Sequence, residues 1–201
     1  MKYKETFRKE VLDNINDDAL HNAGIENPLL IAAARRGSAL NLDALLLFAK
    51  FLNTNLSYLI CLTDDSSPLD RYEISPEATR FNELRFEKKA KAVDIIKGTG
   101  LSSKTLTSLK KGEIPETPYP CRKYAEYFDV SIDYVLGLTL KKNWNEEYKT
   151  PSPGSVISLI VDGVSCYAVV TNKKKIYTTL GHELSMNEFE EKRISYVEVA
   201  K

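Results

Sequence analysis

The stretch "GLSSKTLTSLKKG", Gly100 to Gly112, sets a short helix between two glycines. Ser102 is placed to cap a helix beginning at Ser103, Gly100 suits a left-handed turn that closes the helix before it, and Gly112 supplies the stop. Leu106 and Leu109 fall on one helical face and, with Leu101, can bury against Ile95 and Ile96 of the upstream "AVDIIKG". The outward positions are then Ser103, Lys104, Thr107 and Ser108, three small hydroxyls and an ammonium.

Downstream of this helix the chain repeats itself. "FAKFLNTNLSYLICLT" at 48 to 63 and "YAEYFDVSIDYVLGLT" at 124 to 139 match in register at an offset of 76 residues, with Ala, Tyr, Leu and Thr identical. Apolar residues at i, i+3 and i+4 make both copies helical, broken and recapped at "NTNLS" and "DVSID". The Pro- and Ser-containing stretches "DDSSPLDRYEISPE" (64–77) and "NWNEEYKTPSPGS" (143–155) read as linkers, with Trp144 and Tyr148 as anchors of the second. They divide the chain into helical units at 1–66 and 67–142 and a third unit at 151–201. In the third, "VISLIVDG", "SCYAVVTN", "KIYTTL" and "RISYVEV" are short β-branched and aromatic runs, joined in part by the charged turn "NKKKI". Ser185 with Glu188 three residues on forms a capping box for one short helix among them. The expected fold is mainly α, two tandem all-helical units followed by a small antiparallel β domain.

Composition excludes several classes. Zero net charge, 28 basic against 28 acidic residues, argues against indiscriminate coating of nucleic acid. No apolar run reaches the length of a membrane span, and the charged "MKYKETFRKE" lacks the apolar stretch of a secretory signal, so a cytoplasmic protein with no membrane partner is expected. Cys61, Cys121 and Cys166 are too far apart for a zinc or disulfide framework and read as reduced thiols. Charge is unevenly placed: residues 79–111 hold nine basic and three acidic residues, whereas 38–78 hold two basic and six acidic ones. The basic stretch contains the hydroxyl-and-lysine helix. Two helices joined by a short glycine-containing turn, the second presenting polar groups at its N-terminal end, form the arrangement that seats a helix in the DNA major groove. Small hydroxyls permit close approach to base edges, and lysine can donate to guanine acceptors. Lys110 and Lys111 at the far end, and Lys89 and Lys91 ahead of the first helix, suit flanking phosphates.

Residues 80–139 resemble the phage-repressor type of helix-turn-helix domain, the family of the lambda and 434 repressors, Cro and the xenobiotic-response regulators. The resemblance rests on Leu84-Arg85 in the first helix, the Gly100–Ser102 turn, the Gly112 stop and the tail "YAEYFDVSIDYVLGLT". Ala90 and Lys91 depart from the usual Leu-Thr start of the second helix, and "EIPETPYP" is a proline-rich approach to the fourth. The resemblance implies two tandem five-helix lambda-repressor-like domains, the second the clearer match, in a phage or mobile-element repressor that binds a palindromic operator in double-stranded DNA as a homodimer. Its recognition-helix contacts carry over to Ser103, Lys104, Thr107 and Ser108, and the cap Ser102 joins them in the expected DNA-binding set.

The first copy diverges at the corresponding helix. Aligned back from Gly37, "ENPLLIAAARRG" makes Asn27 the cap and leaves Pro28, Leu29, Ala32 and Ala33 outward, with Arg35 and Arg36 near the phosphates. Such a face offers apolar contact and little else. A protein interface formed by Leu29, Leu30, Ala32 and Ala33 is therefore expected, for dimerisation or another partner. The rival reading is a protein-binding inhibitor of a mobile element, anti-CRISPR-like, whose helix-turn-helix serves autoregulation. Catalysis finds no support: His21 and His182 lie in separate units, and no nucleophile-elbow, phosphate-loop or metalloprotease pattern occurs. His182 with Glu183, Glu188, Glu190 and Glu191 lacks metal-ligand spacing, so no metal, cofactor or enzymatic activity is expected.

Overall fold

In the computed structural model, which describes residues 6–144, 151–161, 164–171, 173, 175–191 and 196–200, the two helical copies have matching element orders. The first runs as a 3-10 helix (Lys9–Leu12), α1 (Asp17–Asn22), α2 (Pro28–Arg35), α3 (Leu42–Leu52) and α4 (Leu56–Leu59). The second runs as α5 (Phe81–Glu87), α6 (Ala92–Thr99), α7 (Ser103–Lys110), α8 (Tyr119–Phe128) and α9 (Ile132–Val135). A sheet of β1 (Val156–Val161), β2 (Val164–Val170), β3 (Lys175–Thr178), β4 (Glu183–Ser185) and β5 (Tyr196–Ala200) follows, with α10 (Met186–Glu191) before its last strand. Helical units followed by a small antiparallel sheet is the expected succession.

Local chemistry explains why the copies match. Asn41 caps α3 and Asn53 ends it in the left-handed region, a conformation that Asn and Asp tolerate. Asp129 ends α8 at the equivalent position with the same geometry. Asn55 and Ser131 then cap α4 and α9 by accepting from the N–H of Tyr58 and Tyr134. Each of those tyrosines carries an arginine. The Arg8 guanidinium lies 4.2 Å from the Tyr58 ring centre and donates to the Tyr58 and Thr63 carbonyls; Arg80 lies 4.2 Å from the Tyr134 ring centre and donates to the Tyr134 and Thr139 carbonyls. Arg8 and Arg80 stand outside the register of the sequence repeat, so pairwise matching of the tails does not reveal them.

The copies share one continuous apolar core, from Phe7 through Phe48 and Leu59 to Tyr124, Val135 and Trp144. Where they meet, equivalent residues bond to each other. Asp133 is fully buried and accepts from the N–H groups of Leu56 and Ser57, from the Ser57 hydroxyl, and from the Trp144 indole at 2.7 Å. Ser57 and Asp133 are 76 residues apart, which is the repeat offset. Asp65 and Lys141, also 76 apart, form an ion pair at 3.0 Å. A contact between residue i and its own counterpart occurs on the axis relating two units, the signature of an isologous interface.

The segment "DDSSPLDRYEISPE", expected as a linker, is instead a strap tied to both copies. The Asn55 side-chain amide donates to the Asp65 and Ser67 carbonyls, Thr54 donates to Ser66, and the N–H groups of Asp70 and Arg71 donate to Leu138. Leu69 within it is buried. Trp144 anchors the end of the helical part through Asp133, while Tyr148 lies outside the described residues.

The sheet has the order β4-β3-β2-β1-β5, with every pairing antiparallel. Alternation along β2 buries Cys166, Ala168 and Val170 on the face covered by Met186 and Phe189 of α10, in a core separate from the helical one. The expected capping box starts α10: Glu188 N–H donates to the Ser185 hydroxyl, and the Glu188 carboxylate accepts from the Ser185 N–H. Glu183, beside His182 in sequence, lies in β4 and pairs with Lys175 of β3. Asn172 and Lys174 of the charged turn, and Glu190 and Glu191 as side chains, lie outside what is described.

Candidate nucleic-acid interface

The geometry of α7 follows from its leucines. Leu101, Leu106 and Leu109 are buried together with Ile95 of α6, and this fixes which side of the helix faces out. Ser103, Lys104 and Thr107 are exposed and Ser108 is half-buried beside them. The turn from α6 is held internally: Gly100 adopts φ 70°, the Thr99 hydroxyl donates to the Ile95 carbonyl, and the Leu101 N–H donates back to Thr99. Both ends of α7 are pinned. The Ser102 hydroxyl accepts the Thr105 N–H at 3.0 Å, and the Asn82 amide of α5 donates to the Lys110 carbonyl at 2.7 Å. Gly112 at φ 77° then ends the helix, with its N–H on the Leu109 carbonyl and the Glu113 N–H on Ser108.

These bonds sort the expected contact residues. Ser102 is engaged as the cap, its hydroxyl already near Thr105. Thr107 donates to the Ser103 carbonyl, which leaves its oxygen as an acceptor and its methyl on the surface. Lys104 projects from the first turn of α7 and is exposed. Lys111 lies 4.0 Å from Glu113 and Lys110 is half-buried.

Lys89 and Lys91 are both exposed ahead of α6. Lys91 occupies the cap position of α6, and its side chain accepts from none of that helix's first N–H groups. An uncapped helix start beside cations is a favourable place for a phosphate oxygen. Phe86 and Val93, 68% and 73% exposed, flank this basic edge, and apolar residue type alone gives no sign of that exposure.

The first copy presents a different surface. Leu29 on α2 is 78% exposed, whereas Leu30 and Ala33 pack partly against the core and Ala32 is half-buried. Of the four residues expected to form an apolar interface, Leu29 alone stands clear, because α2 rests more deeply on the core than a strict outward pattern suggests. Arg35, expected near phosphate, turns inward: it donates to the Leu12 and Ile15 carbonyls and pairs with Asp17 at 2.6 Å. The start of α1, unlike that of α6, is already capped, by Asn16 accepting from Ala19.

Comparison of the chain with protein-family models, with curated proteins and with solved structures finds no match. Among the described residues, no helix is long and apolar enough to cross a membrane. Cys121 and Cys166 are buried free thiols and Cys61 is an exposed one.

Proposed function

We propose that the chain is a sequence-specific double-stranded-DNA-binding transcriptional regulator of the phage-repressor type, with α7 as its reading helix. The observation that carries this reading is the division of α7 into a buried leucine side and an exposed side of Ser103, Lys104 and Thr107, with both helix ends fixed. A rigid helix of small polar residues lets its backbone come close to base edges, and a lysine in its first turn reaches guanine acceptors. Lys89, Lys91 and the open start of α6 grip phosphate and set the register in which α7 enters the groove. Among the described residues, Lys89, Lys91, Ser103, Lys104 and Thr107 are all left exposed by the sheet.

Selection of bound sequences from random duplexes at about physiological salt tests this function. The intact protein should enrich a defined motif and Lys104→Ala should lose part of it; failure to enrich any sequence refutes the proposal.

A second reading applies to the first copy. Leu29, projecting from a surface that lacks the lysines of α6 and α7, suits a protein partner better than a phosphate backbone. Leu29→Ser should abolish capture of any such partner while leaving duplex binding intact.

A further inference from the structure

Reading by one helix normally covers half a site, and a second helix is brought by a symmetry-related unit. In this chain that second unit is already covalently attached. The equivalent pairs Ser57–Asp133 and Asp65–Lys141 lie on the axis between the copies, and α4 packs against its own counterpart α9. The α9 face through which the second copy could pair with another chain is therefore occupied internally, around a fully buried carboxylate.

The attached unit is not a second reader. Its helix starts match those of the second copy, Asn16 with Lys91 and Asn27 with Ser102. Counting from them, Lys88, Lys89, Lys91 and Lys97 become Asp13, Asn14, Asn16 and Asn22. Ser103, Lys104, Thr107 and Ser108 become Pro28, Leu29, Ala32 and Ala33. Lys110 becomes Arg35, whose charge is neutralised by Asp17. Asp13 is exposed, as are Asp18 and Glu26 in the same copy. Lys111 keeps its charge as Arg36, which is exposed, but the five other lysine positions have lost theirs, so phosphates meet far fewer cations here than on the other copy.

Resting on the proposed function, we infer that the chain is an internal dimer with a single reading head, which binds DNA as one chain per duplex on a non-palindromic half-site. The first copy completes the fold of the second, fills its pairing face and withholds a second grip.

The test uses the full chain on a duplex carrying the selected sequence. Native mass measurement should give one chain per duplex, and the motif should lack two-fold symmetry. Leu29→Ala should leave affinity within about 2-fold, against a loss of about 10-fold for Lys104→Ala. Two chains on a palindrome overturn the inference and leave the function standing, as does a Leu29→Ala loss equal to that of Lys104→Ala. Absence of any selected sequence removes both.

Discussion

Replacing Asp133 by alanine strikes the axis between the two helical copies. In the wild type its carboxylate satisfies the Leu56 and Ser57 N–H groups, the Ser57 hydroxyl and the Trp144 indole, all away from solvent. Each buried donor left unpaired costs about 1–3 kcal/mol. Burial pushes the Asp133 carboxyl above its ordinary range despite those four donors, so its removal also relieves a desolvation cost. The balance is a net loss of about 3 kcal/mol, near the lower end for breaking a buried charged network. With a urea m-value of about 2 kcal/mol/M for a body of this size, the midpoint falls by about 1.5 M. Trp144 is the chain's single tryptophan and donates to the residue being replaced, so its fluorescence reports the transition of the helical body directly. A midpoint within about 0.3 M of wild type refutes the assignment of Asp133 as the acceptor holding the copies together.

Three further outcomes follow from the repeat. Arg8→Ala and Arg80→Ala remove the same set of carbonyl bonds and ring contact from the two copies, and each should lower stability by about 1.5–3 kcal/mol in urea denaturation; an effect confined to one copy contradicts their structural equivalence. Cys61 and Gly137 are equivalent left-handed positions, so Cys61→Gly should raise stability in urea denaturation by about 0.5–1 kcal/mol, while Gly137→Ala should lower it, since an added Cβ lies 2.1 Å from the Ala78 carbonyl oxygen. Finally, burial raises the Asp65 carboxyl, but hydrogen bonds from Ser67 and the ammonium of Lys141 outweigh it and hold the group below its ordinary range. Its stabilisation is therefore present above the unfolded carboxylate value and lost as pH falls through the folded one, and the gap between wild type and Asp65→Asn should close on acidification. A gap that widens at low pH has the wrong sign.

Local features were legible in the sequence because they depend on local chemistry. Ser102, Gly100 and Gly112 bounded α7 through capping and left-handed turns, and its leucine spacing gave the buried side. Ser185 and Glu188 started α10 in the same way, and strands β1, β2, β3 and β5 fell on the β-branched runs. What distant residues do was not legible. The repeat was visible, but nothing in it said that Ser57 would meet its own counterpart, because that contact belongs to the assembly of two units. The strap at 64–77 read as a linker from its Pro and Ser content, whereas Asn55 and Thr54 bind its backbone. Arg35 looked like a phosphate ligand by position and is consumed by three partners inside its own copy. Exposure of Phe86 and Val93 runs against their apolar character and had no sequence signal.

The most direct measurement is the ratio of affinities for the selected duplex and a scrambled one of equal composition, taken at about physiological salt for the intact protein and Lys104→Ala. If α7 reads bases, the ratio is on the order of 10³, the low end for specific binders as suits one reading head, and falls about 10-fold in the variant. Equal affinity of the intact protein for both duplexes contradicts base reading by α7.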